Sequence, residues 1–392
     1  MSDAYIVSAV RTPVARAFKG GFRNYRPDDL LADALKAALA EVPELDPGRV
    51  EDVIVGNAMP EAEQGMNIAR IGALLAGLPD SVPGVTVNRF CSSGLQTVGM
   101  AADRIRLGEA DVMIAAGTES MTMIPMMGHK VAMNPAVFRD DNVAIAYGMG
   151  ITAEKVAKEW KVSRDDQDEF AYRSHQKAIA AIDSGEFTEV RPVTVQSRIP
   201  GPDGTIQMRE YTVDTDEGPR RDTTPEALGK LRTVFDAKGT VTAGTSSQMS
   251  DGAGALILVS ERVLKELNLK PLAVFRGFSV AGVRPEVMGI GPIEAIPKVL
   301  KQTGIAQDDL DWIELNEAFA AQALAVMRTT GLDPEKVNPL GGAIALGHPL
   351  GATGAILAAK LIHGLHRREQ RYGMVTMCIG TGMGAAGIFE RV

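Results

Sequence analysis

Four side chains in this sequence combine a reactive type with an unusual setting: Cys91, His348, Cys378 and Asn316. Cys91 lies in Val87-Asn88-Arg89-Phe90-Cys91-Ser92-Ser93-Gly94-Leu95, which reads as a strand end, a tight turn and a helix start. Leu95, Val98, Ala102 and Ile105 follow at helical spacing. A cysteine at a helix N-terminus faces unpaired N–H groups and the positive end of the helix dipole. Both favour the thiolate, the nucleophilic form that covalent catalysis would use. A free cysteine is also a common inert core residue, and on this stretch alone that reading comes first. His348, one of five histidines, sits in Gly341-Gly342-Ala343-Ile344-Ala345-Leu346-Gly347-His348-Pro349-Leu350-Gly351. Glycines there let backbone approach a ligand or a neighbouring loop; a hydrogen-bonded turn histidine fits equally well. Cys378, followed by Ile379-Gly380-Thr381-Gly382-Met383-Gly384, reads by itself as a core strand cysteine. Asn316 opens Asn316-Glu317-Ala318-Phe319-Ala320, where a helix N-cap is an equally good reading.

The elements that must position these groups alternate in type. Tyr5 to Val10 reads as a first strand, Asp52-Val53-Ile54-Val55-Gly56-Asn57 as a short buried strand, and Val112 to Gly117 as another. Between them, Arg26-Pro27-Asp28-Asp29 starts a helix with a Leu30, Leu31, Ala34, Leu35, Ala38, Leu39 stripe. Met66 to Leu75 reads as a further helix, and the cysteine helix runs to about Leu107. Alternation of this kind predicts an α/β fold with a largely parallel sheet. Residues 121–250 differ: Met-, Pro- and Gly-rich turns precede two polar helices, starting near Ile151 and near Ser163, and Arg198 to Arg221 is loop-rich. This stretch reads as an insertion, more lid than core, and Ala255 to Ser260 returns to the sheet. The second half then echoes the first. Asp311 to Asn316 mirrors Asp52 to Asn57, Val337-Asn338 mirrors Val87-Asn88, and Val375 to Thr381 mirrors Val112 to Thr118. Three matches in order indicate two copies of one unit. The expected division is residues 1–120 with 251–270, an inserted 121–250, and 271–392. Sites in parallel sheets form beyond the carboxyl ends of strands, which would bring the segments after Phe90, Leu315 and the Cys378 strand to one face.

Composition narrows the function. A net charge of −8 argues against a nucleic-acid surface, so an anionic ligand would need a local basic patch. The two cysteines are no disulfide framework. No apolar run approaches the length of a membrane span. The start of the chain lacks the features of a signal peptide, and Phe389-Glu390-Arg391-Val392 carries no peroxisomal address. The expectation is a reducing, cytoplasmic setting.

Taken together, Asn88-Arg89-Phe90-Cys91-Ser92-Ser93-Gly94, Asn316-Glu317-Ala318-Phe319-Ala320, Gly347-His348-Pro349-Leu350-Gly351 and Cys378-Ile379-Gly380-Thr381-Gly382 resemble the four signatures of the thiolase family, in the family's order and across essentially the whole chain. The resemblance implies two duplicated βαβ-rich halves in a layered α/β/α/β/α sandwich, plus an inserted loop domain. It implies cleavage of a 3-ketoacyl-CoA by free CoA, or the reverse Claisen condensation, through an acyl-Cys91 intermediate. Cys91 would be the nucleophile and His348 its base. Asn316, through a positioned water, and His348 would hold a first oxyanion. Cys378 would move the proton at the acetyl carbon, and the N–H groups of Cys91 and Gly380 would hold a second oxyanion. Ser247, in Thr245-Ser246-Ser247-Gln248-Met249-Ser250-Asp251-Gly252, matches the pantetheine-contacting serine, and Arg220 the arginine near the adenine and its phosphates; Arg221 could do the same work. CoA enters as co-substrate, with no permanently bound cofactor and no metal. The family resemblance implies a homo-oligomer, dimer or tetramer, and Met121 to Met127 is too apolar to leave exposed.

One departure bears on substrate. Acetoacetyl-CoA thiolases of the biosynthetic type usually carry His before Met-Gly, whereas here Gly148 precedes Met149-Gly150. Met149 belongs to the expected substrate-binding set. Pro285 to Pro292 and Ser246-Ser247-Gln248 also look more like the degradative 3-ketoacyl-CoA type. The alternatives are an acetoacetyl-CoA-specific acetyltransferase, a ketosynthase-type condensing enzyme, which would normally place a second His where Asn316 stands, and a CoA-binding protein without catalysis.

Overall fold

The computed structural model describes residues 3–201 and 203–392. Its strands are β1 (Ala4–Arg11), β2 (Ala15–Arg16), β3 (Asp52–Gly56), β4 (Gly84–Val87), β5 (Val112–Ser120), β6 (Val193–Pro200), β7 (Ile206–Val213), β8 (Ser250–Ser260), β9 (Ala273–Gly282), β10 (Leu310–Leu315), β11 (Tyr372–Ile379) and β12 (Met383–Arg391). Its α-helices are α1 (Pro27–Ala40), α2 (Ile68–Leu75), α3 (Ser93–Arg106), α4 (Met149–Glu159), α5 (Arg164–Asp183), α6 (Pro225–Gly229), α7 (Glu261–Glu266), α8 (Gly291–Thr303), α9 (Ala320–Thr330), α10 (Ala343–Leu346) and α11 (Thr353–Arg367).

Strand order carries the duplication. The path runs β10-β11-β12-β9-β1-β8-β5-β3-β4, with β2 on β8 and β6-β7 apart. Outward from β1 the neighbours are β8 and β5, both antiparallel contacts, then β3, parallel. Outward from β9 they are β12 and β11, again antiparallel, then β10, parallel. β4 lies parallel to β3, and Val337 makes a parallel bridge to Ile313 of β10. The two halves meet where Tyr5 and Ile6 pair with Val274 and Ala273.

Alternation along the strands builds the layers, because successive side chains leave a strand on opposite faces. Met113 and Ala115 of β5, Leu256 and Leu258 of β8, and Val375 and Met377 of β11 share one core with α3 and α11. Ile114, Ile257 and Val259 face the other way, onto α1 and α2. Met374, Ala386 and Ile388 face a third core with α8 and α9. The central layer is therefore α3 and α11, a sheet covers each side, and helices close the outside. The two central helices cross at backbone distance near their N-termini. A Cβ on Gly94 would lie 2.6 Å from the Ala355 nitrogen, and one on Gly354 would lie 2.2 Å from the Leu95 nitrogen. Side chains there would push apart the two helix starts that carry the chemistry.

The duplication is as expected, but the residue matches slip. Ile54 faces the central helices, whereas Ile313 faces the outer core. Glu51 receives the Val112 N–H at 3.2 Å, and Asp311 receives those of Arg371 and Tyr372 at 2.8 and 3.1 Å. Glu51, not Asp52, is thus the counterpart of Asp311. The β3–β5 and β10–β11 registers then pair Ala116 with Thr376 as equivalents rather than Val112 with Val375. Val337 likewise stands where Gly84 does, since it bridges Ile313, the counterpart of Val53. The first match is off by one residue and the other two by three, and a slip by an odd number of residues exchanges the two faces of a strand, which composition alone does not register. The loop expected at Arg198 to Arg221 is also partly a hairpin, β6–β7. β7 is mostly exposed, so no apolar alternation marked it.

Candidate active site

The cysteine turn is held by its own side chains. Asn88 Oδ1 accepts the Phe90 N–H at 2.8 Å, and Asn88 Nδ2 donates to the Ala58 carbonyl at 2.9 Å. Ser93 Oγ accepts the Arg89 N–H at 2.9 Å and donates to the Phe90 carbonyl at 2.7 Å. Between these clamps Phe90 is forced to φ +44°, a conformation that costs a non-glycine residue on the order of 1–3 kcal/mol. The strained turn presents Cys91 on the Phe90–Ser92 turn just before α3. Cys91 packs against a buried cluster of Ala17, Ala58, Met121 and Leu350, as does Met59.

Cys91 is half-buried and receives hydrogen bonds from the backbone N–H groups of Gly380 and of Cys91 itself. Those donors favour the thiolate, but burial outweighs them and pushes the thiol up to about 11, with the Glu119 carboxylate adding to the rise. This reverses the sign expected from the helix start alone. Cys378, fully buried at the end of β11, is raised well above the ordinary thiol range by burial and by Cys91. Its surroundings are apolar: Met149, Ala153, Val241, Met288, Ala318 and Phe319. Gly380 follows in the turn between β11 and β12, and a Cβ there would lie 3.7 Å from Met149 Sδ.

His348 is reached through a sharp reversal. Gly347 has φ +104°, and a Cβ on it would lie 2.3 Å from Ser250 Oγ, so only glycine fits. The His348 ring is buried and bonded at both nitrogens: Nδ1 to Thr353 Oγ1 at 2.7 Å, Nε2 to Asn316 Nδ2 at 3.3 Å. An amide nitrogen only donates, so Nε2 holds the lone pair and Nδ1–H donates to Thr353. Burial lowers the ring to about 4, so it is neutral at physiological pH and its Nε2 can accept a proton. Asn316 Oδ1 is buried and has no hydrogen-bond partner among the described residues. The Asn316–Glu317 turn is fixed from below, where Glu317 accepts from Ser174 Oγ at 2.6 Å and Asn338 Nδ2 at 2.8 Å.

Cys91, Gly380, Cys378 and Met149 therefore share one locale, and His348 with Asn316 forms a second pair joined to it through Leu350. Ser247 is half-buried and its N–H donates to the Ala318 carbonyl at 2.9 Å, which lays its segment on the Asn316 turn. Arg220 is exposed, with its N–H on His175 Nδ1 at 3.1 Å. Its loop is tied to the Ser247 segment where Gln248 Nε2 donates to the Gly218 carbonyl at 2.9 Å. Arg221 is engaged with Asp183. Sequence reasoning missed Thr353, although a hydroxyl opening the helix five residues after His348 was available as a signal. It also missed the strain at Phe90 and the Glu119 carboxylate near Cys91, neither of which has a local signal.

A resting pair of neutral thiol and neutral imidazole has a direct consequence. Alkylation of Cys91 by iodoacetamide in the free protein is expected to keep accelerating as pH rises past 9, because the thiolate fraction grows until about 11. Modification is located at Cys91 by peptide mass mapping, and a rate that already reached its plateau near neutrality would contradict the upward displacement of this thiol.

Three comparisons bear on this site. The description "Thiolase, N-terminal domain" matches residues 4–262, and "Thiolase, C-terminal domain" matches residues 269–391. The chain is 52% identical to a 3-ketoacyl-CoA thiolase of Bacillus subtilis over all of both chains. Its fold superposes on the Bacillus anthracis acetyl-CoA acetyltransferase with a TM-score of 0.90, at 38% identity, covering 100% of this chain and 99% of that one. Human mitochondrial 3-ketoacyl-CoA thiolase gives a TM-score of 0.88, also at 38% identity and with the same coverage.

Proposed function

This chain belongs to the thiolase family, and from that membership and the site geometry we propose that it cleaves 3-ketoacyl-CoA with CoA to acetyl-CoA and a shortened acyl-CoA. The observation that carries the reading is the placement of Cys91 under the N–H groups of Gly380 and of itself, with a second buried thiol, Cys378, near enough for Cys91 to raise it. One thiol can attack while the other handles a carbon-bound proton.

In the forward direction, His348 Nε2 takes the Cys91 proton as the sulfur attacks the 3-keto carbon. The new oxyanion is stabilised at His348 and Asn316. The bond between C2 and C3 breaks, its electron pair goes to C2, and the Cys378 S–H protonates that carbon as acetyl-CoA leaves. CoA then yields its thiol proton to the Cys378 thiolate and attacks the acyl-Cys91 carbonyl. The N–H groups of Cys91 and Gly380 hold the second oxyanion. Cys91 leaves and recovers its proton from His348. A neutral resting thiol is compatible with this cycle because proton removal and attack are concerted at a general base. CoA is the co-substrate in this reading, with Ser247 and Met149 along its pantetheine end and Arg220 nearer the phosphates.

The degradative assignment rests on Gly148 preceding Met149 and on the high identity to a 3-ketoacyl-CoA thiolase. Steady-state thiolysis across 3-ketoacyl-CoA chain lengths tests it: turnover of C4 alone would favour the acetoacetyl-CoA alternative. Free CoA that failed as acyl acceptor would favour a ketosynthase-type reaction on carrier thioesters. A protein that neither turned over nor was alkylated at Cys91 would be a binding protein only. The unpaired cysteines this cycle needs fit a reducing, cytoplasmic setting, and no helix among the described residues is long and apolar enough to cross a membrane.

The active unit in this reading is a homo-oligomer. Met121 and Ile124 are buried inside the chain, correcting the expectation that they wait for a partner; Met126 and Met127 remain 42% and 48% exposed. The stronger support is β4, which ends the strand path with Val85 exposed; Met66, 93% exposed, precedes Asn67, whose Nδ2 donates to the Gly84 carbonyl of β4. An uncapped edge with apolar side chains is a pairing surface. Replacing Val85 with Lys and Met66 with Glu together is expected to reduce the mass seen by light scattering at micromolar concentration to that of one chain. A wild-type monomer under the same conditions would remove the proposal.

A further inference from the structure

Glu119 is a buried carboxylate that the cycle above does not use. It lies near the end of β5 and is 1% exposed. Oε2 accepts the Ala58 N–H at 2.7 Å and the Gly351 N–H at 2.9 Å. Oε1 accepts the Met59 N–H at 3.2 Å and a short bond from Gln64 Nε2. All four neighbours are donors, which favours the ionised carboxylate, since a protonated one would point its O–H at another N–H; burial works the other way and raises the carboxyl above its ordinary value. The segments so gripped border Cys91. Ala58, and Leu350 next to Gly351, belong to the buried cluster against which Cys91 and Met59 both pack. The titratable groups that act on or respond to Cys91 thus come from two elements, Glu119 from β5 and Cys378 from β11, while His348 lies two residues before Leu350 of the cluster against which Cys91 packs.

We propose that Glu119 is a positioning residue for the acyl-transfer reaction, an anionic clamp that fixes the His348 loop and the loop after β3 beside Cys91 and holds negative charge within reach of its sulfur. The proposal rests on the reading of Cys91 as the nucleophile. Its physical content is twofold. Geometry matters because small misplacements of a base relative to a nucleophile are costly in rate. Charge matters because an anion near the sulfur opposes ionisation, so the resting enzyme keeps an unreactive thiol until substrate is bound.

The two parts separate in two variants. Glu119→Gln keeps the size and removes the charge. The pH midpoint of Cys91 alkylation by iodoacetamide is expected to fall, since loss of an anion makes the thiolate easier to form. Thiolysis kcat is expected to drop by about 10–10²-fold with KM changed by less than about threefold. Glu119→Asp keeps the charge and shortens the reach, so the alkylation midpoint should stay at the wild-type value while kcat still falls. An unchanged midpoint in Glu119→Gln, or wild-type kcat in Glu119→Asp, would overturn the proposal. If Glu119→Gln does not fold, Glu119→Asp decides by itself: wild-type kcat or a displaced midpoint refutes the clamp. Failure of the parent reading is distinguishable, because wild-type protein that cleaves no 3-ketoacyl-CoA sinks the thiolysis proposal while the alkylation midpoints still report on Glu119.

Discussion

Cys91→Ser is expected to abolish both half-reactions, lowering kcat for thiolysis on the order of 10⁴-fold or more. The substitution removes one large polarisable atom and leaves its setting intact: the strained Phe90, the Asn88 and Ser93 clamps, and the two N–H donors. Folding should therefore survive, and loss of activity reads chemistry. A hydroxyl is a far weaker nucleophile than a thiol, and the burial that already holds the Cys91 thiol up at about 11 would hold a serine hydroxyl far out of reach of a His348 ring lowered to about 4. The measurement is acyl-enzyme formation by intact mass after mixing with acyl-CoA, alongside steady-state thiolysis. Acylation of the Ser variant at a rate near wild type would show that Cys91 is not the nucleophile. The same comparison separates an active thiolase from a protein that only binds CoA, since binding alone requires no particular atom at position 91.

The residues of the candidate site stand out in the sequence because they lie in local patterns. Cys91 in its Asn88-to-Gly94 run, His348 among glycines, and Gly380 beside Cys378 each bring their geometry with them in neighbouring residues. What sequence could not supply depends on distance along the chain. The ionisation of Cys91 is the clearest case. A helix start argues for a thiolate, and that argument is right in direction, but burial against Ala17, Ala58, Met121 and Leu350 is set by segments far apart and is the larger effect. Glu119 was unreadable for the same reason: its partners at Ala58 and Gly351 lie 61 and 232 residues away. The internal repeat shows a different limit. The order of its parts was recognisable, yet Ile54 and Ile313 face opposite cores, because short apolar strands look alike when moved by one residue and only hydrogen-bond register decides the face.

Division of labour between the two cysteines gives the second large effect. Cys378→Ala is expected to slow condensation, and proton exchange at the acetyl methyl group, by about 10²–10⁴-fold, the usual cost of losing a general acid or base. Acylation of Cys91 by acyl-CoA should suffer far less, because no carbon–hydrogen bond changes in that step. The environment of Cys378 supports the distinction. Met149, Met288 and Phe319 keep its sulfur dry, and burial raises its thiol well beyond the ordinary range, further than that of Cys91. A thiol so reluctant to ionise is a poor resting nucleophile, but its thiolate, once formed, is a strong base suited to taking a proton from carbon. A packing role alone would behave otherwise: the cavity left by Cys378→Ala would lower stability modestly and disturb both steps alike. Deuterium loss from the acetyl group of acetyl-CoA and the rate of Cys91 acylation, measured on the same preparation, therefore discriminate. Selective loss of exchange identifies Cys378 as the proton carrier, and equal slowing of the two rates would show that it only fills space at the end of β11.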